Sequence, residues 1–174
     1  MKPAEGKLGV LVVGLGAVTT TFMTGVLMAR KGLAKPVGSM TQYDKIRVGK
    51  GNDKKYLLYK DIVSMASLDD IVFGAWDVYP ANAYESAINA EVLKEKDINP
   101  VKDELEAIKP MTAAFDKNYA KRLDGDNVKV VKNRWDMTEQ LREDIRNFKA
   151  NTGVNRVVVL WAASTEVYVP VNEK

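Results

Sequence analysis

Residues 8–16, Leu-Gly-Val-Leu-Val-Val-Gly-Leu-Gly, decide the fold class of this chain. The run at 8–13 is apolar without alternating polar positions, which is typical of a strand covered on both faces of a parallel sheet. Gly14 and Gly16 then end the run with a tight turn. Apolar residues recur at helical spacing after the turn, at Val18, Phe22, Val26 and Ala29. The segment therefore predicts a buried strand, a glycine turn and an amphipathic helix.

The same alternation of strand and helix continues along the chain. Apolar runs at 71–76 and 156–161 predict two further strands, and helices are expected over 82–96, over 101–109 and from a cap at Thr138. The glycine-broken stretch 35–60 carries two short β-like runs, 45–48 and 56–59, and is expected to be an insertion containing a hairpin. This order favours an α/β fold, a doubly wound parallel sheet with helices on both faces.

Composition excludes several functional classes. The 174 residues include no His and no Cys, so a Cys/His zinc site, a catalytic thiol, a histidine base and a disulfide framework are all excluded. The formal charge of +3 is spread over mixed-sign runs, so no basic stripe indicates a nucleic-acid partner. Glycines and a threonine triplet interrupt the apolar start, which argues against a membrane span, and the absence of cysteine favours the cytoplasm.

The glycine turn is the first candidate site. Glycines between a buried strand and a helix let a pyrophosphate approach the amides at the helix N-terminus. Thr19 stands where the full dinucleotide-binding fingerprint has its third glycine, so an ordinary strand-to-helix turn remains the alternative.

Asp77 is the second candidate, at the end of the second long strand. An acid there accepts hydrogen bonds from ribose hydroxyls and repels a 2′-phosphate, which favours NAD over NADP. Such an acid normally lies about 20 residues beyond the glycines, and Asp77 lies roughly three times as far. The insertion at 35–60 would account for the distance, and a turn or capping aspartate ahead of Pro80 is the alternative. A third, weaker candidate is the small and hydroxylated run after the last strand, Ala162, Ala163, Ser164 and Thr165.

Four segments, in this order, resemble the myo-inositol-1-phosphate (inositol-3-phosphate) synthases. They are the glycine turn, Gly-Ser-Met-Thr-Gln at 38–42, Gly-Ala-Trp-Asp-Val at 74–78 and Val-Leu-Trp-Ala-Ala-Ser-Thr-Glu at 159–166. The resemblance implies a Rossmann-like NAD-binding domain over 1–174, truncated before the family's catalytic and tetramerisation domain. It also implies an isomerase that converts D-glucose 6-phosphate to 1D-myo-inositol 3-phosphate by internal oxidation, aldol-type cyclisation and reduction.

Positions carried over from the family define an expected cofactor site. The resemblance implies phosphate contacts at Gly14, Gly16, Ala17, Val18 and Thr19, a ribose contact at Asp77, adenine-side contacts at Ala113 and Ala114, and nicotinamide-side contacts at Ala162, Ala163, Ser164 and Thr165. Catalytic residues are expected beyond Lys174, and the family's homotetramer is the expected assembly. The chain would then be inactive alone. A noncatalytic nucleotide-binding module and a methyltransferase-like α/β domain, which also uses a glycine turn and a strand-end acid, remain alternatives.

Overall fold

The computed structural model describes residues 5–118, 120–121 and 123–163. Six strands are present in these ranges: β1 (Leu8–Val13), β2 (Lys45–Val48), β3 (Lys55–Leu58), β4 (Ile71–Asp77), β5 (Met111–Thr112) and β6 (Arg156–Trp161). The helices are α1 (Ala17–Arg30), α2 (Met40–Tyr43), α3 (Tyr59–Ile62), α4 (Ala83–Asn89), α5 (Glu95–Ile98), α6 (Lys102–Glu106) and α7 (Arg134–Thr152). None of them is long and apolar enough to cross a membrane.

Four strands form a parallel sheet in the order β5-β4-β1-β6, which confirms the α/β class. β1 lies in the middle, with Leu8 opposite Ile71 of β4 and Arg156 of β6. The predicted hairpin is also present, because β2 and β3 pair antiparallel as a separate two-stranded sheet.

Helices cover the two faces of the central sheet. On one face, Val10 and Val12 of β1 join the main apolar cluster with residues of α1, α4 and α6. On the other face, Phe148 of α7 lies over β1 and β4, where a Cβ on Gly9 would be 2.7 Å and one on Gly74 2.8 Å from its ring. Successive side chains of a strand point to opposite faces, so β1 is buried from both sides.

Three local predictions were wrong. The helix expected over 82–96 breaks after Asn89, because Glu91 adopts φ 54°, and helical structure resumes only at α5. The cap of α7 is Asn133 rather than Thr138, since the Asn133 side chain accepts a hydrogen bond from the Asp136 backbone N–H. The apolar face predicted for α1 is partly exposed, with Val18 72% accessible, and the threonines Thr19, Thr20 and Thr24 are buried instead.

Candidate functional site: a pocket at the carboxyl edge of the sheet

A pocket of about 550 Å³ opens where β1 and β4 end. Its size falls within the range of small-molecule sites in proteins. Of the candidate residues, its lining contains Gly14, Gly16, Ala17, Val18, Asp77, Ala113, Ala114, Ala162 and Ala163. Residues distant in sequence thus meet at one edge because parallel strands all end on the same side. Ser164 and Thr165 lie outside the described residues.

The glycine turn forms one wall of the pocket. Gly14 has φ 93°, and a Cβ there would lie 2.7 Å from the Ala163 Cα, so both conformation and space require glycine. The Gly14 N–H donates to the Trp76 carbonyl at 2.8 Å, which fixes the turn against β4. A Cβ on Gly16, by contrast, would meet no heavy atom within 4 Å. The backbone is therefore open to a ligand at Gly16.

Helix α1 begins directly at this open glycine. Its N-cap, Gly16, contributes no side-chain hydrogen bond, and the first turn holds no acidic residue. The first N–H groups of a helix have no partner within it, and the positive end of the helix dipole attracts an anion. The arrangement fits the pyrophosphate of a dinucleotide.

Thr19 is buried, which the sequence did not predict. The residue is 2% exposed, and its hydroxyl donates to the Gly14 carbonyl at 2.5 Å. It is absent from the pocket lining, so its side chain stabilises the turn. A phosphate contact by the Thr19 backbone N–H remains a prediction.

Asp77 connects the two loops beside the pocket. Its Oδ2 accepts from the Leu15 N–H at 2.5 Å and its Oδ1 from the Tyr79 N–H at 2.9 Å. The structure therefore confirms a turn role for this acid, while the cap of α4 is Asn82. Each carboxylate oxygen has a further lone pair, so a ribose hydroxyl could still bind.

A segment between β5 and α7 supports the wall of the pocket opposite the glycine turn. Asn127 donates from its side-chain amide to the Asp77 carbonyl at 2.9 Å and to the Met111 carbonyl at 3.2 Å. Beyond Ala114 and Phe115, the Arg134 guanidinium and the Asn118 backbone N–H hold the pKa of Asp116 below its ordinary value. These contacts fix the loop that carries Ala113 and Ala114.

Sequence reasoning missed several residues at the pocket. The lining also contains Tyr79, Ala81, Ser86, Asn89, Ala90, Phe115 and Leu123. The small and polar positions of α4 were the available signal, since Ser86 and Asn89 are three residues apart and share a helix face. Among the described residues, no group of three or more acidic side chains could hold a metal ion.

Comparison with known proteins assigns the chain to a family. Residues 8–174 match the sequence model of an NAD-binding domain described as myo-inositol-1-phosphate synthase. The chain is 61% identical to inositol-3-phosphate synthase 1 of Bacteroides thetaiotaomicron over 175 residues, which cover 100% of this chain and 40% of that protein. It is 34% identical to inositol-3-phosphate synthase 1 of Oryza sativa subsp. japonica, covering 93% of this chain and 35% of that one.

A solved structure supports the same assignment. The fold matches inositol-3-phosphate synthase of Caenorhabditis elegans with a TM-score of 0.82 and 28% identity, over 99% of this chain and 37% of that one. The chain thus spans between about a third and two fifths of the length of the relatives it matches. The family model, the similar sequences and the matching structure show that this chain belongs to the myo-inositol-1-phosphate synthase family and corresponds to its NAD-binding domain.

Proposed function

We propose that the chain supplies the NAD site of an enzyme that converts D-glucose 6-phosphate to 1D-myo-inositol 3-phosphate. The observation that carries the proposal is one pocket containing the open Gly16 backbone, the uncapped start of α1 and the Asp77 carboxylate. The relatives' name, inositol-3-phosphate synthase, supplies the reaction. The chemistry that NAD supplies when bound is reversible hydride transfer.

Each wall of the pocket has a separate part in binding. The N–H groups at the start of α1 hold the pyrophosphate, and Asp77 accepts from the ribose hydroxyls. Ala113 and Ala114 pack beside the adenine, while Ala162 and Ala163 border the nicotinamide side. The small apolar side chains at both ends leave room for flat rings.

The remaining parts of the proposal concern the whole enzyme. Residues 1–174 act as one NAD-binding domain with an insertion at 35–60, and the catalytic groups belong to sequence that this chain does not contain. Family resemblance supports a homotetramer, a cytoplasmic location and a glucose 6-phosphate substrate. Formation of inositol phosphate from glucose 6-phosphate by the full-length protein tests the reaction, and failure with NAD bound would contradict it.

Calorimetric titration with NAD and NADP tests the cofactor site. We expect NAD to bind at least about tenfold more tightly, because the Asp77 carboxylate repels a 2′-phosphate. Asp77→Asn removes the charge and should reduce the preference for NAD over NADP. Asp126→Asn changes an exposed acid nearby and should leave that preference unchanged. Equal affinity of the unmodified protein for NAD and NADP would contradict the role of Asp77.

A competing ligand separates the alternatives. A methyltransferase-like domain would be stabilised against heating by S-adenosylmethionine and not by NAD. We expect the opposite result, since the family match is to an NAD-binding domain. A melting temperature raised only by S-adenosylmethionine would overturn the proposal.

A further inference from the structure

A largely, but not fully, buried ion pair lies behind the wall of the pocket. The Lys129 ammonium is 2.8 Å from the Asp144 Oδ2, and the two side chains are only 7% and 19% exposed. Lys129 also donates to the Thr112 hydroxyl at 3.0 Å. Burying two charges is costly unless their hydrogen bonds are satisfied, so this pair is a specific arrangement rather than a solvated contact.

The same carboxylate oxygen holds a tryptophan of the pocket. The Trp76 indole Nε1–H donates to the Asp144 Oδ2 at 2.8 Å. Trp76 is the last residue but one of β4, just before Asp77, and it lines the pocket while remaining 4% exposed. Asp144, on helix α7, therefore fixes the indole from behind without lining the pocket itself.

Lys129 ends a segment, residues 127–129, that joins the loop after β4 to the loop after β5. Both loops border the adenosine side of the proposed NAD site. The Asn127 N–H donates to the Val78 carbonyl at 2.9 Å, and its carbonyl accepts from the Ala113 N–H at 2.9 Å. The Lys129 N–H then donates back to the Ala113 carbonyl at 2.8 Å. The segment consequently sets the separation between the loop after β4 and the loop after β5.

We infer that Asp144 is a positioning residue for the adenosine half of NAD. It anchors Trp76 and, through Lys129, the segment that spaces Val78 from Ala113. Asp144 acts through these neighbours and touches no part of the cofactor. The inference rests on the proposed NAD site, and it adds a residue on a distant helix to that site.

Asp144→Asn is the direct test, in the full-length protein. The carboxamide can still accept from Trp76, but it leaves the Lys129 charge buried without a counter-charge. We expect the dissociation constants of NAD and of AMP to rise by the same factor, about tenfold, because the disturbed part binds adenosine. Glu143→Gln is the matched control, since Glu143 neighbours Asp144 on α7 and, among the described residues, its ion pair is an exposed one with Arg146. It should change neither constant.

The indole N–H signal of Trp76 reports directly whether its contact with Asp144 is altered. In a proton–nitrogen correlation spectrum, with Trp76→Phe identifying the peak, the indole N–H resonance should shift in Asp144→Asn and stay in place in Glu143→Gln. An unchanged affinity for NAD and AMP in Asp144→Asn would overturn the inference and leave the NAD site intact. Failure of the unmodified protein to bind NAD or AMP would overturn the proposed function as well.

A double variant covers the case in which the single variant does not fold. Lys129→Met with Asp144→Leu removes both charges and replaces them with apolar groups of similar volume. Its stability should recover, but its AMP affinity should remain low, because Trp76 and the 127–129 segment have lost their common anchor. Recovery of both properties would show that the pair serves folding alone and would overturn the inference.

Discussion

Strands β1 and β6 are both largely apolar runs of six residues, but β1 is mostly buried and β6 is mostly exposed. β1 is Leu-Gly-Val-Leu-Val-Val and β6 is Arg-Val-Val-Val-Leu-Trp, and they pair residue for residue. Leu11 of β1 is fully buried, whereas Leu160 of β6 is 42% exposed. An apolar run therefore identifies a strand, but it does not determine whether helices cover that strand.

Position in the sheet explains the difference. β1 has a hydrogen-bonded neighbour on each side and helices on both faces, while β6 has one neighbour within the described residues. Unpaired apolar edge strands promote association with other chains. Val158, Val159, Leu160 and Trp161 are all exposed, so β6 is an apolar edge of the sheet within the described residues.

Truncation of matched leucines should give the largest contrast. Leu11→Ala should lower the free energy of unfolding by about 2–5 kcal/mol, since it leaves a cavity in a packed interior. Leu160→Ala should lower it by about 1 kcal/mol or less, because that side chain is already partly in water. Urea unfolding of both variants measures the difference. Equal losses would mean that β6 is covered in solution.

The glycines that follow β1 should separate stability from binding. Gly14→Ala should lower the free energy of unfolding by about 1–3 kcal/mol, because its backbone is left-handed and its Cβ would meet Ala163 after β6. Gly16→Ala should leave the free energy of unfolding nearly unchanged but lower the affinity for NAD, because the added Cβ projects into open space at the pocket. Thermal melts and NAD titrations check both effects. The reverse pattern would contradict this division.

The helix that covers β1 contains a buried hydroxyl without a partner in the described structure, that of Thr24. Thr24→Val should raise the free energy of unfolding by about 1 kcal/mol, since an unsatisfied buried polar group is removed. Thr20→Val on the same helix is the control and should lower it, because the Thr20 hydroxyl donates to the Gly16 and Ala17 carbonyls. Denaturant midpoints of the two variants should move in opposite directions. A loss of stability in Thr24→Val would indicate that its hydroxyl is bonded in solution.

The smallest expected effect concerns pH and the far end of α1. Lys31, just after that helix, is 2.5 Å from Glu104 of α6, and this hydrogen bond holds the pKa of Glu104 below its ordinary value of 4.5. The stabilisation is therefore complete above pH 4.5 and is lost as the pH falls through the lowered pKa. Glu104→Gln should flatten the dependence of the urea midpoint on pH below 4.5. An unchanged slope would assign the acid sensitivity to other carboxylates.

The sequence predicted the local structures whose signals lie within a few residues. The strand, glycine turn and helix at 8–30 were correct, as were the hairpin and the later long strands. The helix over 82–96 was wrong because a single residue, Glu91, adopts a left-handed conformation. The α7 cap was misplaced although Asn133 and Asp136 have the spacing of an N-cap and its first-turn acid.

For the pocket, the sequence located the residues at strand ends but not those that support them. Gly14, Gly16 and Asp77 could be predicted because the end of a strand is recognisable from a few neighbouring residues. Asn127 and Asp144 were not, because their partners are contributed by elements far away in the chain. No local pattern distinguishes Asp144 from the exposed Glu143 beside it.

By itself, then, the sequence determined the α/β class, the glycine turn and the family, because periodicity, turn chemistry and motif order are local properties. Only the tertiary structure decided that β1 is buried and β6 exposed, that Thr19 supports the turn, and that Asp77 bonds Leu15. Those outcomes depend on sheet order and on contacts between residues far apart in the chain. The free energy gained by burying a side chain depends on which residues pack against it, and the fold determines those residues.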